Sequence, residues 1–145
     1  MNPKARRNAR QYALQAMYQW QISAAPIADI EVEFLVHHIK QKTDLPYFKE
    51  LIHAIPKEYD ELDNHMLPYL SRPVAELDPI ELAILRLAIY ELSKRLDVPY
   101  RVAINEALEL AKKFGSIEGY KFVNGVLDQV ARKLRIDEIK ADKKS

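Results

Sequence analysis

The chain has 145 residues, 48% of them hydrophobic and 30% charged, with no cysteine, which excludes a disulfide framework, a thiolate nucleophile and a cysteine metal site and suits a cytoplasmic protein. This length is enough for one domain with its own core, and the absence of any stretch approaching about 20 apolar residues excludes a membrane span; no apolar run follows the basic N-terminus, so no signal peptide is expected. The net charge of +1 conceals an asymmetry: residues 1–10 carry +4, residues 132–145 carry +3 and the 121 residues between them carry −6. Basic ends on an acidic body point either to a polyanion partner at one end or to solvated termini.

Asn2 and Pro3 form a cap and first-turn pair, so a helix is predicted almost from the start to about Gln21. On a wheel of roughly 100° per residue, Ala5, Ala9, Tyr12, Ala13, Ala16 and Trp20 share one side, with Met17 at its edge. Lys4, Arg7, Gln11 and Tyr18 lie opposite. Arginines at a helix N-terminus oppose the macrodipole at a cost of some tenths of a kcal/mol each. A binding role therefore explains Arg6, Arg7 and Arg10 better than stability does. Pro26 ends the pattern, and a second helix is expected over about 28–40, with Ile30, Phe34 and His38 or Ile39 inward. Asp44 and Pro46 open a third, in which Phe48, Leu51, Ile52, Ile55, Tyr59, Leu62 and Met66 keep helical spacing. Pro56 interrupts it, and a kink or break is expected there. Pro68 and Pro73 mark a short link, with a helical turn near Val74.

Asp78-Pro79 begins the clearest helix, PIELAILRLAIYELSK, to about Lys94. It is apolar almost all round, so it should be the buried central helix. All three glycines then fall within VPYRVAINEALELAKKFGSIEGYKFVNGVLDQVA, residues 98–131. This stretch reads as a helical hairpin: Asp97 as cap, Pro99 in the first turn, Gly115 as stop and Ser116 as the next cap. Ala103, Ile104, Ala107, Leu110, Ala111 and Phe114 form one apolar stripe; Val123, Val126, Leu127, Val130 and Leu134 form the other. The remaining RIDEIKADKKS has no periodicity and is expected to be a frayed or disordered tail over 135–145. No strand signal is found. The fold class is therefore all-α, with six or seven helices and one domain over 1–134.

Enzyme signatures are missing. No phosphate-binding glycine loop or nucleophile elbow is present, and no two of His37, His38, His53 and His65 stand four residues apart. No catalytic residue and no metal site are assigned. Glu106 and Glu109 lie on a polar face as charge partners for Lys112 and Lys113.

Binding signatures are stronger. Tyr18 places a ring on the basic face of the first helix, where cations meet phosphates and rings meet unstacked bases; the other reading is a ring packed beneath a neighbouring helix. Phe122 sits roughly 110° from the centre of its stripe. Phe114 ends its helix at the corner, as a core residue or as a stacking ring. The bare backbone from Gly115 to Gly119 can approach an anion at a helix start. Glu118 repels phosphate there but can accept a hydrogen bond from a base amino group.

At these residues the sequence resembles the NusB family of bacterial transcription antitermination factors. The carrying blocks are ARRNARQYALQAMYQW, LDPIELAILRLAIYEL and VPYRVAINEALELAKKFGSIEGYKFVNGVLDQV, and the resemblance covers the chain in order up to the tail. It implies an all-helical fold of two small packed bundles, with no catalytic activity and no cofactor. It implies binding to the boxA element of nascent ribosomal RNA leaders together with NusE, a small-subunit ribosomal protein. NusA, NusG and RNA polymerase complete the larger complex, which suppresses premature termination and supports ribosomal RNA maturation. By this resemblance the RNA-binding positions are Lys4, Arg6, Arg7, Arg10, Tyr18, Phe114, Glu118 and Phe122, so the first helix should come alongside the late corner. Glu81, with Glu76 behind it, is the partner-binding candidate; an ordinary first-turn acid is the other reading of Glu81. Monomer and homodimer both stay open. Asn8 interrupts the basic run where many relatives continue with arginine, and the tail matches nothing specific. Two rival functions remain: a pure protein scaffold, and an accessory module like those preceding the catalytic domain of some ribosomal RNA cytosine methyltransferases. Those proteins are longer and carry an α/β cofactor domain.

Overall fold

The computed structural model describes residues 2–144, which form seven α-helices with no strand among the described residues. They divide into two compact units between Tyr59 and Asp60, within the third helix.

The first unit holds α1 (Pro3–Ser23), α2 (Ile27–Glu33) and the first part of α3 (Leu45–Met66). α1 begins where the cap signal placed it: the Asn2 side chain accepts from the N–H groups of Lys4 and Ala5 at 3.0 and 3.1 Å. It ends at Ala24, a non-glycine residue in the left-handed region at φ 55°, whose N–H donates to Trp20 O. Ala5, Ala9, Tyr12, Ala13, Ala16 and Met17 are buried as the wheel requires, joined by Leu14. Trp20 is only half-buried and meets the edge of Tyr59 at a centroid distance of 5.8 Å. α2 continues into a wider turn over Phe34–His38, closed by Ile39 N–H donating to Phe34 O. Ile30 and Phe34 are buried as expected. His38 points outward and pairs with Glu33 at 3.2 Å.

Pro56 does not break α3, which runs unbroken from Leu45 to Met66. An interior proline costs about 3 kcal/mol. Leu51, Ile52, Ile55, Leu62 and Met66 along the same helix are fully buried, each side chain contributing about 1.5–3 kcal/mol, which outweighs that cost.

The second unit holds the end of α3 and α4 (Pro79–Lys94), α5 (Tyr100–Phe114), α6 (Ile117–Leu134) and α7 (Ile136–Lys144). α4, α5 and α6 pack on one another, and α7 packs on α6. Asp78 caps α4 through the N–H groups of Ile80 and Glu81. Every residue from 82 to 92 is buried, so α4 is the central helix the sequence implied. Its interior also contains Arg86, which forms a buried two-pronged pair with Asp63 at 2.9 and 2.7 Å.

Two expectations need correction here. Asp97 does not cap α5; it pairs instead with Arg95 at 2.9 Å. The cap of α5 comes from outside the local sequence: a Glu138 carboxylate oxygen accepts Tyr100 N–H at 2.9 Å. Nor is the stretch after Leu134 a structureless tail, since residues up to Lys144 form α7; Ser145 lies outside the described residues. The cause is Arg135, buried to 4% exposure. Its guanidinium donates to the carbonyls of Leu92, Glu91, Arg95 and Val98 at 2.8, 3.2, 3.0 and 2.9 Å, and to Glu138 at 2.6 Å. The end of α4 has orphan carbonyls, as every helix end does, and Arg135 supplies the donors. Asp142 adds an exposed pair to Arg101.

Candidate nucleic-acid interface

The predicted cations of α1 divide by environment. Lys4 and Arg7 are exposed. Arg6 and Arg10 instead turn toward the start of α3. The Arg6 guanidinium lies 4.1 Å from the ring centroid of Tyr47, and that of Arg10 lies 5.7 Å from it. Arg6 Nε is also 3.6 Å from an Asp44 carboxylate oxygen. Asp44 accepts Tyr47 N–H at 3.1 Å, and its own N–H donates to Ala5 O at 3.0 Å. Asn8, which breaks the arginine run, donates from its side chain to Lys42 O at 2.8 Å. The basic start of α1 is thus partly a docking device for the entrance to α3. Arg10 is only 4% exposed, so its charge reaches solvent far less than those of Lys4 and Arg7. Tyr18 is half-buried, between the two readings its wheel position allowed.

In the second unit, α5 and α6 meet at the corner Gly115-Ser116. Gly115 ends α5 where the sequence placed the stop, in extended backbone at φ −115° and ψ −164°. Its lack of a side chain has a use: a Cβ there would come within 3.0 Å of Ala111 O. Ser116 caps α6 by accepting Gly119 N–H at 3.0 Å. Phe114 is half-buried with the Lys113 ammonium 5.7 Å from its ring centroid. Phe122 is half-buried and Glu118 exposed. The three therefore share one corner, with their polar or aromatic surface available.

Glu81 lies against this corner. A Cβ placed on Gly119 would stand 2.6 Å from Glu81 Oε2, so the bare backbone of α6 makes room for the carboxylate. Partial burial, and then the charge of Asp78, raise the Glu81 carboxyl above its ordinary value, opposed by Arg72. Glu76 is exposed in the short turn Val74–Glu76. The sequence alone did not reveal that a partner-binding candidate and a nucleic-acid-binding candidate adjoin, because Glu81 and Gly119 are far apart in the chain. No cluster of three metal-ligating side chains exists among the described residues, and no helix is long and apolar enough to cross a membrane.

An all-helical fold, with Lys4 and Arg7 exposed at the first helix start and half-buried rings at the α5–α6 corner, places the chain among all-α proteins. The comparisons give the family: the profile described as "NusB family" matches residues 7–132, and the chain belongs to that family. It is 54% identical over 135 residues to the transcription antitermination protein NusB of Idiomarina loihiensis, covering 93% of this chain and 97% of the relative. It is 55% identical over 135 residues to that of Sodalis glossinidius, with the same coverage. Among solved structures, T. maritima NusB superposes with a TM-score of 0.77 at 28% identity, over 92% of this chain and 96% of that one. A crystal structure of the antitermination factors NusB and NusE in complex with dsRNA gives 0.81 at 25% identity, over 91% and 99%. The family is one of transcription antitermination factors and not of enzymes.

Proposed function

We propose that this chain binds boxA RNA in nascent ribosomal RNA leader transcripts together with NusE, and so sustains processive ribosomal RNA transcription and maturation. The observation that carries the reading is the α5–α6 corner, where Glu118 is exposed and Phe114 and Phe122 are half-buried. Rings there stack on unpaired bases, and Glu118 accepts from a base amino group. Lys4, Arg6, Arg7 and Arg10, with Tyr18, supply charge and a further ring from the first unit. NusE meets Glu81 and Glu76. The likeness to a NusB solved with NusE and dsRNA supports both partners. In the cytoplasm the assembly joins NusA, NusG and RNA polymerase, with this chain entering as monomer or homodimer.

The test is a titration of single-stranded boxA RNA, a scrambled strand and a duplex, each with and without NusE. The expected order is boxA with NusE first, the scrambled strand last. Phe122→Ala should weaken boxA binding by about 1–3 kcal/mol through loss of one stacked base. Binding that ignores both RNA sequence and NusE overturns the proposal.

A further inference from the structure

A concavity opens beside the same corner. It encloses about 320 Å³ and is lined by Ala111, Lys112, Gly115, Ser116, Ile117, Tyr120 and Lys121. Successive helical residues are rotated by roughly 100°, so Tyr120, Ile117, Lys121, Glu118 and Phe122 follow one another in that order around α6. The pocket therefore adjoins the surface assigned above to RNA bases, with Lys121 at the border.

Its chemistry is specific. Ala111, Ile117 and the Tyr120 ring make an apolar floor and wall, and Ile117 is 75% exposed although it is a large aliphatic residue. Gly115 keeps that floor bare. The two charged side chains lining it are both lysines, and no acid is among the lining residues. The Lys112 ammonium lies 5.7 Å from the Tyr120 ring centroid. Its ion pair to Glu109 at 3.5 Å is exposed on both sides and holds it weakly. A flat apolar group with an attached anion satisfies both features at once: the flat group lies on Tyr120, and the anion sits between Lys112 and Lys121.

We propose that this pocket takes one unstacked nucleotide of the bound RNA, its base against Tyr120 and its phosphate between Lys112 and Lys121. The inference rests on the RNA-binding reading above and extends it by one nucleotide site beside the α5–α6 corner. Base stacking on a single ring tolerates any base, so the site adds affinity without adding sequence preference.

The experiment titrates the same boxA strand into the full chain with NusE present, comparing wild type, Tyr120→Phe, Tyr120→Ala and the double variant Lys112→Gln, Lys121→Gln. Tyr120→Ala should lower affinity about 10-fold, and Tyr120→Phe, which keeps the ring, should bind as wild type does. The lysine double variant should flatten the slope of log affinity against log salt by about 1.4, the share of two single-strand phosphate contacts. Thermal melts check that each variant is folded; Tyr120→Phe and the surface lysine changes keep the test alive if Tyr120→Ala is not. Wild-type binding with unchanged affinity and salt slope in every folded variant overturns the pocket and leaves the RNA reading standing. Failure of wild type to bind RNA at all overturns both. Variants that lose NusE while keeping RNA binding would make this a protein-docking pocket and also overturn the proposal.

Discussion

The two ends of the chain carry similar excess positive charge, +4 over residues 1–10 and +3 over 132–145, yet the fold uses them differently. At the N-terminal end, Lys4 and Arg7 are exposed, while Arg6 and Arg10 turn to Tyr47. At the C-terminal end, Arg135 is buried as the donor for four main-chain carbonyls, and Glu138 and Asp142 of the same stretch hold the start of α5. Excess charge along a sequence does not separate a polyanion site from a helix cap. What separates them is whether orphan carbonyls lie within reach of the guanidinium.

The comparison breaks most directly at Arg135. Arg135→Met should cost about 3–5 kcal/mol in urea unfolding, because a buried set of acceptors loses its donor together. A loss below about 0.5 kcal/mol, the range of ordinary surface changes, would return the C-terminal stretch to a solvated tail. The N-terminal division is tested by a pair of variants. Arg6→Ala should cost about 1–2 kcal/mol of stability through loss of the Tyr47 stack and the Asp44 pair. Arg7→Ala should leave stability within about 0.5 kcal/mol and flatten the RNA salt slope by about 0.7. Equal stability costs for the two would erase the distinction between docking and exposed cations.

A smaller effect is expected at the far end of α1. Ala24→Gly should raise stability by about 0.5–1 kcal/mol, since glycine removes the left-handed strain and returns part of that gain as unfolded-state entropy. A thermal melt that falls would show that the Ala24 methyl has a packing role. The smallest effect contrasts two acids. Glu138 is met by a guanidinium and an N–H, whereas Glu81 is set against bare backbone and its carboxyl is raised. A raised carboxyl means that the folded state holds its proton more tightly than the unfolded chain. No penalty exists below the unfolded value, and the full penalty appears once pH exceeds the folded one. Glu81→Gln should therefore raise Tm slightly at pH 7, with the gain vanishing as pH falls below the ordinary carboxylate range. A gain that persists in acid would assign the effect to packing. If Glu81 also meets NusE, the same variant should bind NusE less well at pH 7.

Much of this protein was legible before any coordinates. Asn2-Pro3, Asp78-Pro79 and Ser116 start helices because a cap acts on the next turn, and most of the α4, α5 and α6 stripes is buried because helical periodicity is local. The family was legible for the same reason, as three blocks of consecutive residues. Legible only in part was the corner: Phe114, Glu118 and Phe122 are neighbours in sequence, but the placement of Glu81 against Gly119 joins residues nearly forty positions apart.

The rest was decided by tertiary structure, at points where a polar group met a need elsewhere in the chain. α7 forms because Arg135 finds the end of α4; α5 is capped by Glu138 and not by Asp97; α3 passes Pro56 because the apolar side chains along it are buried; Arg86 enters an apolar helix because Asp63 is there to meet it. In each case a local preference of about 1–3 kcal/mol is outweighed by burial or by hydrogen bonds to distant groups. Sequence determined where helices begin and which faces are apolar, since those depend on spacing within a turn or two. Only the fold decided which charged side chains are buried as caps and which remain at the surface for a partner.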